Sequence, residues 1–336
     1  MALSTIKTAS IANDAVTADK IVNDGNLGNR NLIINGKFSI FQRGTGPTTV
    51  NSNDVFVADR FKGWANGGGT YTVEQSTDVP NNEFEYSAKL TNTGVDSSVA
   101  AGDNYRWATD LEGYNVSQLG YGHSDAKAVT LSFWVKSSLA GTYCGALYSV
   151  TGSRHYIYEY TISSANTWEK KTITVSSGDT GGAWNKTNGN GLRIYWGFGS
   201  GSTYQGTAGA WTAGEKWETT NQAAWIGSAS ATFFVTGIQL EIGSEPTPFE
   251  HRSFADELLR CQRYYEIYTS RNISFAPDNQ NGNGRMMGTF AVNKRAQPTM
   301  TSTSPWTLNG SINAYEGYSS NTSNVSFPNF TADAEL

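Results

Sequence analysis

From Thr70 to Leu240 the chain repeats one short pattern, apolar residues at every second position followed by a gap rich in Gly, Asn and Ser. A period of two sends alternate side chains to opposite faces of a strand. Short strands of this kind, punctuated by turns, build sandwiches and barrels. AVTLSFWVK is the clearest case: Val129, Leu131, Phe133 and Val135 share one face, and Thr130, Ser132, Trp134 and Lys136 share the other. The same reading predicts strands over Thr70–Glu74, Ala88–Thr91, Ala128–Lys136, Gly145–Val150, Tyr156–Thr161, Lys171–Val175, Leu192–Phe198 and Ala231–Leu240. About ten strands over roughly 220 residues fit an all-β, jelly-roll-like sandwich of two sheets.

Ahead of these strands, NLIINGKFSIFQRG reads as two short strands broken at Asn35-Gly36, a hairpin signal. Behind them, one helix is expected over Ser253 to Tyr265. Ser253 with Asp256 is a capping pair, and Phe254, Leu258, Cys261 and Tyr265 recur at helical steps. The segments YYEIYTSRNISFAP, GRMMGTFAVNKR and PTMTSTSPWTLNG that follow read as a smaller β unit. The expected organisation is a stem over 1–29, a sandwich domain over 30–252, and a linking helix with a small C-terminal β domain over 253–336.

The stem carries Ile6, Ile11, Val16 and Ile21, five apart in an otherwise polar run. A step of five advances about 500° around an α-helix, so these residues share no helical face. Identical chains wound about a common axis could bury one apolar rung per repeat, and a homotrimer is the expected assembly. One coil of a pentapeptide solenoid, or a disordered tail, are the other readings of the same spacing.

Charge and cysteine usage exclude several classes. The net charge is -5 with 16% charged residues, and no segment clusters Lys and Arg as phosphate tracking requires, so nucleic acid is not an expected partner. No apolar run approaches the roughly 20 residues that span a bilayer, and MALSTIKTAS lacks the apolar core of a secretory signal. The expectation is a soluble chain made in the cytosol, without membrane insertion. Cys144 and Cys261 lie far apart without a CxxC and are expected as buried thiols. His123, His155 and His251 lack metal-ligand spacing, and no GxSxG, HExxH or phosphate-loop motif occurs. No cofactor is expected; a structural calcium would suit the Asp- and Asn-rich loops, but no EF-hand-like spacing locates one.

GIQLEIGSEPTPFEHRSFADELLRCQRYYE, from Gly237 to Glu266, resembles the junction found in many tailed-phage tail fibre proteins. NLIINGKFSIFQRG with Ala58-Asp59-Arg60-Phe61, SFWVKSSLAGTYCGALYS, and GDTGGAWNKTNGNGLRIYWGFGSGSTYQGTAGAW are similar to such fibres in the same order. IANDAVTADKIVNDG resembles their shaft repeats. The resemblance touches nearly the whole chain and weakens after Arg285. It implies a virion protein, assembled in the host cytoplasm, whose trimeric distal domains carry a carbohydrate-binding-like jelly roll and meet the host surface. The implied partners are a host glycan or outer-membrane receptor, and other tail or fibre proteins through the stem.

Sugar recognition calls for flat aromatic faces with amides and carboxylates beside them. Between Gly178 and Trp225 the chain offers Trp184, Tyr204, Trp211 and Trp217 among turn residues, with Asp179, Asn185, Asn188, Asn190 and Gln205 nearby. Trp184, Tyr204, Trp211, Trp217, Asp179 and Asn188 are the expected glycan contacts, and Trp64 and Trp107 the second choice. Trp134, Trp168 and Trp196 are expected to be structural. The alternative roles are a structural fibre or baseplate component whose aromatic loops pack on neighbouring protein, or a polysaccharide depolymerase. The depolymerase would need two carboxylates about 5 to 10 Å apart, drawn from acids such as Asp54, Asp59, Glu83, Glu85, Asp103, Asp110 and Glu112. Asp59-Arg60 reads better as a local ion pair or turn contact, and a non-enzymatic chain is expected.

Overall fold

The computed structural model describes residues 29–269, 284–302, 306–319 and 329–336; Ile6, Ile11, Val16 and Ile21 of the expected stem lie outside the described residues. Two antiparallel sheets face each other. One has six strands in the order β1 (Thr48–Val50), β4 (Thr70–Ser76), β5 (Ser87–Gly94), β13 (Thr232–Ile242), β7 (Val129–Ser137) and β10 (Glu169–Val175). The other has seven: β12 (Trp211–Ala213), β9 (Arg154–Ile162), β8 (Gly141–Ser149), β11 (Asn190–Ser200), β6 (Asn104–Glu112), β3 (Phe61–Asn66) and β2 (Val55–Phe56). The chain is therefore an all-β sandwich, and every strand expected from alternation is present within a few residues of its expected bounds.

The inward faces interlock through aromatic rings. Val129, Leu131, Phe133 and Val135 are fully buried, as their alternation requires. Phe133 meets Trp196 of the opposite sheet edge-on at 5.9 Å, and Phe233 meets Phe198 at 5.1 Å and Tyr143 at 5.7 Å. Such contacts add specific geometry to the gain from burying each ring.

Three expectations are corrected. NLIINGKFSIFQRG forms no hairpin; it is an irregular segment held by side-chain amides. Asn31 Oδ1 accepts from the backbone of Ile33 and Leu240, and Asn35 Nδ2 donates to the carbonyls of Ile40 and Asp59. These amides take the bonds that a strand ladder would have supplied. Gly36 is needed because a Cβ there would lie 2.2 Å from the Ile238 carbonyl oxygen. Second, Asp59 and Arg60 form the expected turn, closed by the Phe61 N–H on the Ala58 carbonyl, but no ion pair: Asp59 accepts from the backbone and side chain of Gln42, and Arg60 reaches Glu335. Third, strand β6 was not expected. All nine of its residues are buried, yet it carries Arg106, Asp110 and Glu112, whose charges hide its apolar alternation.

Beyond the short helix α1 (Gly113–Val116), the longer helix α2 runs Phe254–Gln262 and starts where Ser253 Oγ accepts from the Asp256 N–H. It ends sooner than Tyr265, which opens strand β14 (Tyr265–Tyr268). Cys261 and Leu258 pack on Ile34 and Ile40, while Phe254 stays exposed. β14 pairs with β19 (Phe330–Asp333), which pairs with β16 (Thr299–Ser302); β15 (Gly284–Thr289), β18 (Ala314–Ser319) and β17 (Trp306–Gly310) form a second small sheet. Both cysteines are buried free thiols. Among the described residues no helix is long and apolar enough to cross a membrane.

The C-terminal strand region is bolted to the sandwich by charge. Glu335 joins Arg60, and both side chains are almost wholly buried; Arg263 grips Glu112 at 2.6 and 2.9 Å. Breaking a buried pair leaves a stranded charge and typically costs about 3 to 5 kcal/mol, whereas a partly exposed pair contributes about 1 kcal/mol or less. Glu335→Gln is therefore expected to lower unfolding stability by about 3 kcal/mol. Glu74→Gln, which breaks the half-exposed pair with Lys89, should cost under about 1 kcal/mol. Urea denaturation of the two variants checks the contrast.

Candidate glycan-binding surfaces

The residues singled out between Gly178 and Trp225 divide into two groups on different faces. Trp184 and Trp211 come together at the edge of the seven-stranded sheet. Their rings stand edge-on at 5.5 Å, Tyr121 lies behind both at 4.8 and 5.4 Å, and Tyr156 adjoins Trp211 at 5.5 Å. Trp211 is placed there by β12, whose backbone pairs Trp211 with Tyr156. Trp184, Trp211 and Tyr156 are half-buried and Tyr121 is buried, so a buried ring supports three rings that each keep part of their surface in solvent.

This edge is stiff. Trp211 Nε1 donates to the Ser177 carbonyl, and Trp184 Nε1 donates to Gly181 O and to Asp179 Oδ2. Asp179 is buried and takes Arg154 as a two-point partner at 2.5 and 2.7 Å. Its carboxylate therefore orients the tryptophan and the loop, with no oxygen offered to an incoming hydroxyl. With both indole N–H groups committed within the protein, what the edge presents outward is ring surface. Asn188 lies elsewhere: its amide donates to Arg295 O and its carbonyl accepts from Arg295 Nη1, which ties its loop to the C-terminal region. Asn185 caps its own turn through Thr187.

Tyr204 and Trp217 belong to the outer face of the seven-stranded sheet. Trp217 is fully buried, stacked at 4.2 Å against Tyr204 and lying 3.8 Å from the Arg106 guanidinium, so no face of the indole is free for a sugar. Arg106 is boxed by three rings, with Tyr195 at 4.7 Å and Trp64 at 4.8 Å completing the set. The Gly-rich run that reads as open loops is in fact a flap over the sheet. It is fastened by Trp217 Nε1 on Ser200 Oγ, by Lys216 on Gln205 O, and by the bridge between Gln205 and Glu218. Trp64 lies beneath this flap, and Trp107 is in the main core, stacked on Phe61 at 5.9 Å; neither second-choice tryptophan is available to a ligand.

Of the other aromatics, Trp196 is core, whereas Trp134 and Trp168 stand half-buried on the outer face of the six-stranded sheet. Sequence reading passed over Tyr121 and Tyr156, the partners that complete the edge cluster. Tyr156 carried a usable signal, since it opens a predicted strand on the face shared with Tyr158. The candidate acids are largely engaged: Asp110 is held by Lys62 and Arg193, and Glu112 by Arg263 and Tyr264. Burial pushes the Asp110 carboxyl up, but Arg193 and Lys62 overcome it and hold the group well below the usual carboxylate range. Among the described residues no group of three or more His, Cys, Asp or Glu could hold a metal ion.

No family model and no curated protein matches the chain. Solved structures are similar at the level of fold. The family 11 carbohydrate-binding module of the cellulosomal cellulase Lic26A-Cel5E of Clostridium thermocellum is 14% identical, with 61% of this chain and 99% of that one covered and a TM-score of 0.31. A family 61 module in complex with β-1,4-galactotriose is 11% identical over 64% of this chain and 99% of its own, with a TM-score of 0.29. The enzymatically active domain of tailspike protein 4 of bacteriophage CBA120 is 12% identical, with 63% of this chain covered and a TM-score of 0.33. This chain spans only 21% of that tailspike domain.

The flap also holds a titrating group. Glu218 is fully buried, accepts from the Gly199 N–H at 3.1 Å, and burial pushes its carboxyl up to about 7 despite Gly199, Ser200 and Arg106. The folded chain then keeps this proton at pH values where the unfolded chain has lost it, so stability falls as pH rises from the unfolded value near 4.5 through about 7 and levels off above. The loss is on the order of 3 kcal/mol at most. Glu218→Gln, which cannot ionise, is expected to flatten this decline, as read by urea denaturation at about pH 5 and about pH 8.

Proposed function

We propose that this protein binds carbohydrate through the edge platform of Trp184, Trp211 and Tyr156, and that it does so as a tailed-phage fibre component adsorbing to host-surface glycan. The observation that carries the reading is the platform itself: three half-exposed rings on a buried tyrosine, with both indole N–H groups and the neighbouring carboxylate already committed. Such a surface offers apolar faces to a pyranose and is held rigid before the ligand arrives, which lowers the ordering cost of binding. The phage assignment draws on the fibre-like segments of the sequence, above all Gly237 to Glu266. Presentation in three copies by a stem built on Ile6, Ile11, Val16 and Ile21 would raise avidity without requiring any one site to be tight.

The reading is non-enzymatic. Asp110, Glu112 and Asp179 are each gripped by an arginine, which suits carboxylates that hold structure and not a general acid facing a nucleophile.

Purified protein is expected to compete with phage for adsorption to host cells. The Trp184→Ala/Trp211→Ala variant should need about tenfold or more protein for the same blocking, equivalent to about 1.4 kcal/mol or more of binding free energy. Trp217 is left intact in this variant because its loss would loosen the flap. Wild-type protein that fails to block would instead favour a structural fibre component whose edge platform packs on a neighbouring virion protein.

A further inference from the structure

The outer face of the six-stranded sheet carries a cleft of about 420 Å³ that owes nothing to the edge platform. Its floor is a break in the sheet. β13 and β7 lose register between Thr236 and Gln239, and the residue at the break, Gly237, has a φ of +61°. A Cβ there would lie 2.7 Å from Phe84 Cζ and 3.3 Å from Trp134 Cδ1. The bulge and its glycine let two rings close on the backbone, and bulges commonly re-aim side chains next to binding sites.

The walls are aromatic and fixed. Phe84, Phe249 and His251 pack mutually at 5.0 to 5.8 Å, and Trp134 stands on β7 facing the same opening. The Pro246–Pro248 rim is pinned by Thr247, whose N–H and hydroxyl donate to the two oxygens of Glu241 at 2.8 and 2.6 Å. A ligand would meet a preformed site of ordinary small-molecule size.

Thr247 in the lining is spent on Glu241, but other polar groups of the cleft are not. Lys136, on the same sheet face, is paired with Asp78. Lys170, which lines the cleft, is exposed with no carboxylate partner among the described residues; the Trp134 indole N–H and the Ser132 hydroxyl there have no hydrogen-bond partner either. These groups are mainly donors, one of them a full positive charge. We propose that the cleft is a second carbohydrate site, selective for a pyranose bearing a carboxylate. The ring lies against Trp134 and Phe249, the carboxylate meets Lys170, and Glu83 on the rim accepts from a ring hydroxyl. Neutral sugars leave the Lys170 charge unanswered and bind less well.

Titration of the full chain with glucuronic acid, with glucose as the neutral control, followed by saturation-transfer NMR and calorimetry, tests this. Saturable glucuronate binding is expected, with glucose at least about fivefold weaker. Lys170→Ala should lower glucuronate affinity about tenfold and erase the preference, Lys170→Arg should keep it, and Trp134→Ala should abolish binding of both sugars. Lys170 is exposed, so its variants test the site without unfolding the sheet. The Trp184→Ala/Trp211→Ala variant should still bind glucuronate, which separates this site from the edge platform. Equal affinity for the two sugars, an unchanged Lys170→Ala variant, no saturable binding, or binding lost only with Trp184 and Trp211 would each overturn the proposal.

Discussion

A carboxylate inside a β-sheet is tolerable only if other charges come to it, and Asp110 imposes that demand at the centre of the seven-stranded sheet. It draws Lys62 from β3 and Arg193 from β11, so one buried charge ties the three neighbouring strands β3, β6 and β11 together. Arg60 donates to the Asp110 carbonyl and continues to Glu335, carrying the network into the C-terminal region. Buried ion pairs add little to net stability compared with apolar packing, but removing one partner is expensive. Their effect here is on specificity. A strand shifted by one residue would turn Lys62 and Arg193 to the other face and strand Asp110 without a partner.

That demand has a consequence for the surface. The outer face of the seven-stranded sheet carries Arg106 as well as the Asp110 network, and the chain covers it with a flap that boxes the guanidinium between Trp64, Tyr195 and Trp217. The aromatic rings of that outer face are thus consumed in holding it together. The two proposed ligand surfaces lie elsewhere, at the rim by Trp184 and Trp211, and on the opposite sheet, where the bulge at Gly237 opens the cleft beside Trp134. Both positions follow from sheet geometry: an edge strand leaves its rings uncovered on one side, and a bulge breaks the pleat that would otherwise close the face.

The sandwich itself was legible in the sequence. Alternation in AVTLSFWVK assigned the inward face of β7 residue by residue, and Ser253 with Asp256 marked the start of α2. Both are local effects, set by the two-residue repeat of a strand and by a hydroxyl within reach of an amide three residues on. The failures were of one kind. NLIINGKFSIFQRG has the pattern of a hairpin, but the amides of Asn31 and Asn35 outcompete the ladder. β6 has charges at positions where a buried strand should be apolar, and their partners lie on β3, β11 and α2's far end.

The sequence by itself determined where most of the long sandwich strands lie, which face of those strands is apolar, and that the loops are rich in aromatic rings. Only the tertiary structure decided what each ring does. Trp184, Trp211 and Trp217 sit in indistinguishable Gly- and Thr-rich surroundings, yet two are half-open at an edge and one is sealed under a flap. The difference lies in what folds over them, Arg106 and Tyr195 for Trp217, and Tyr121 and Tyr156 for the edge pair. Exposure is a property of the assembled surface, made by contacts between segments far apart in the chain, and no local pattern encodes it.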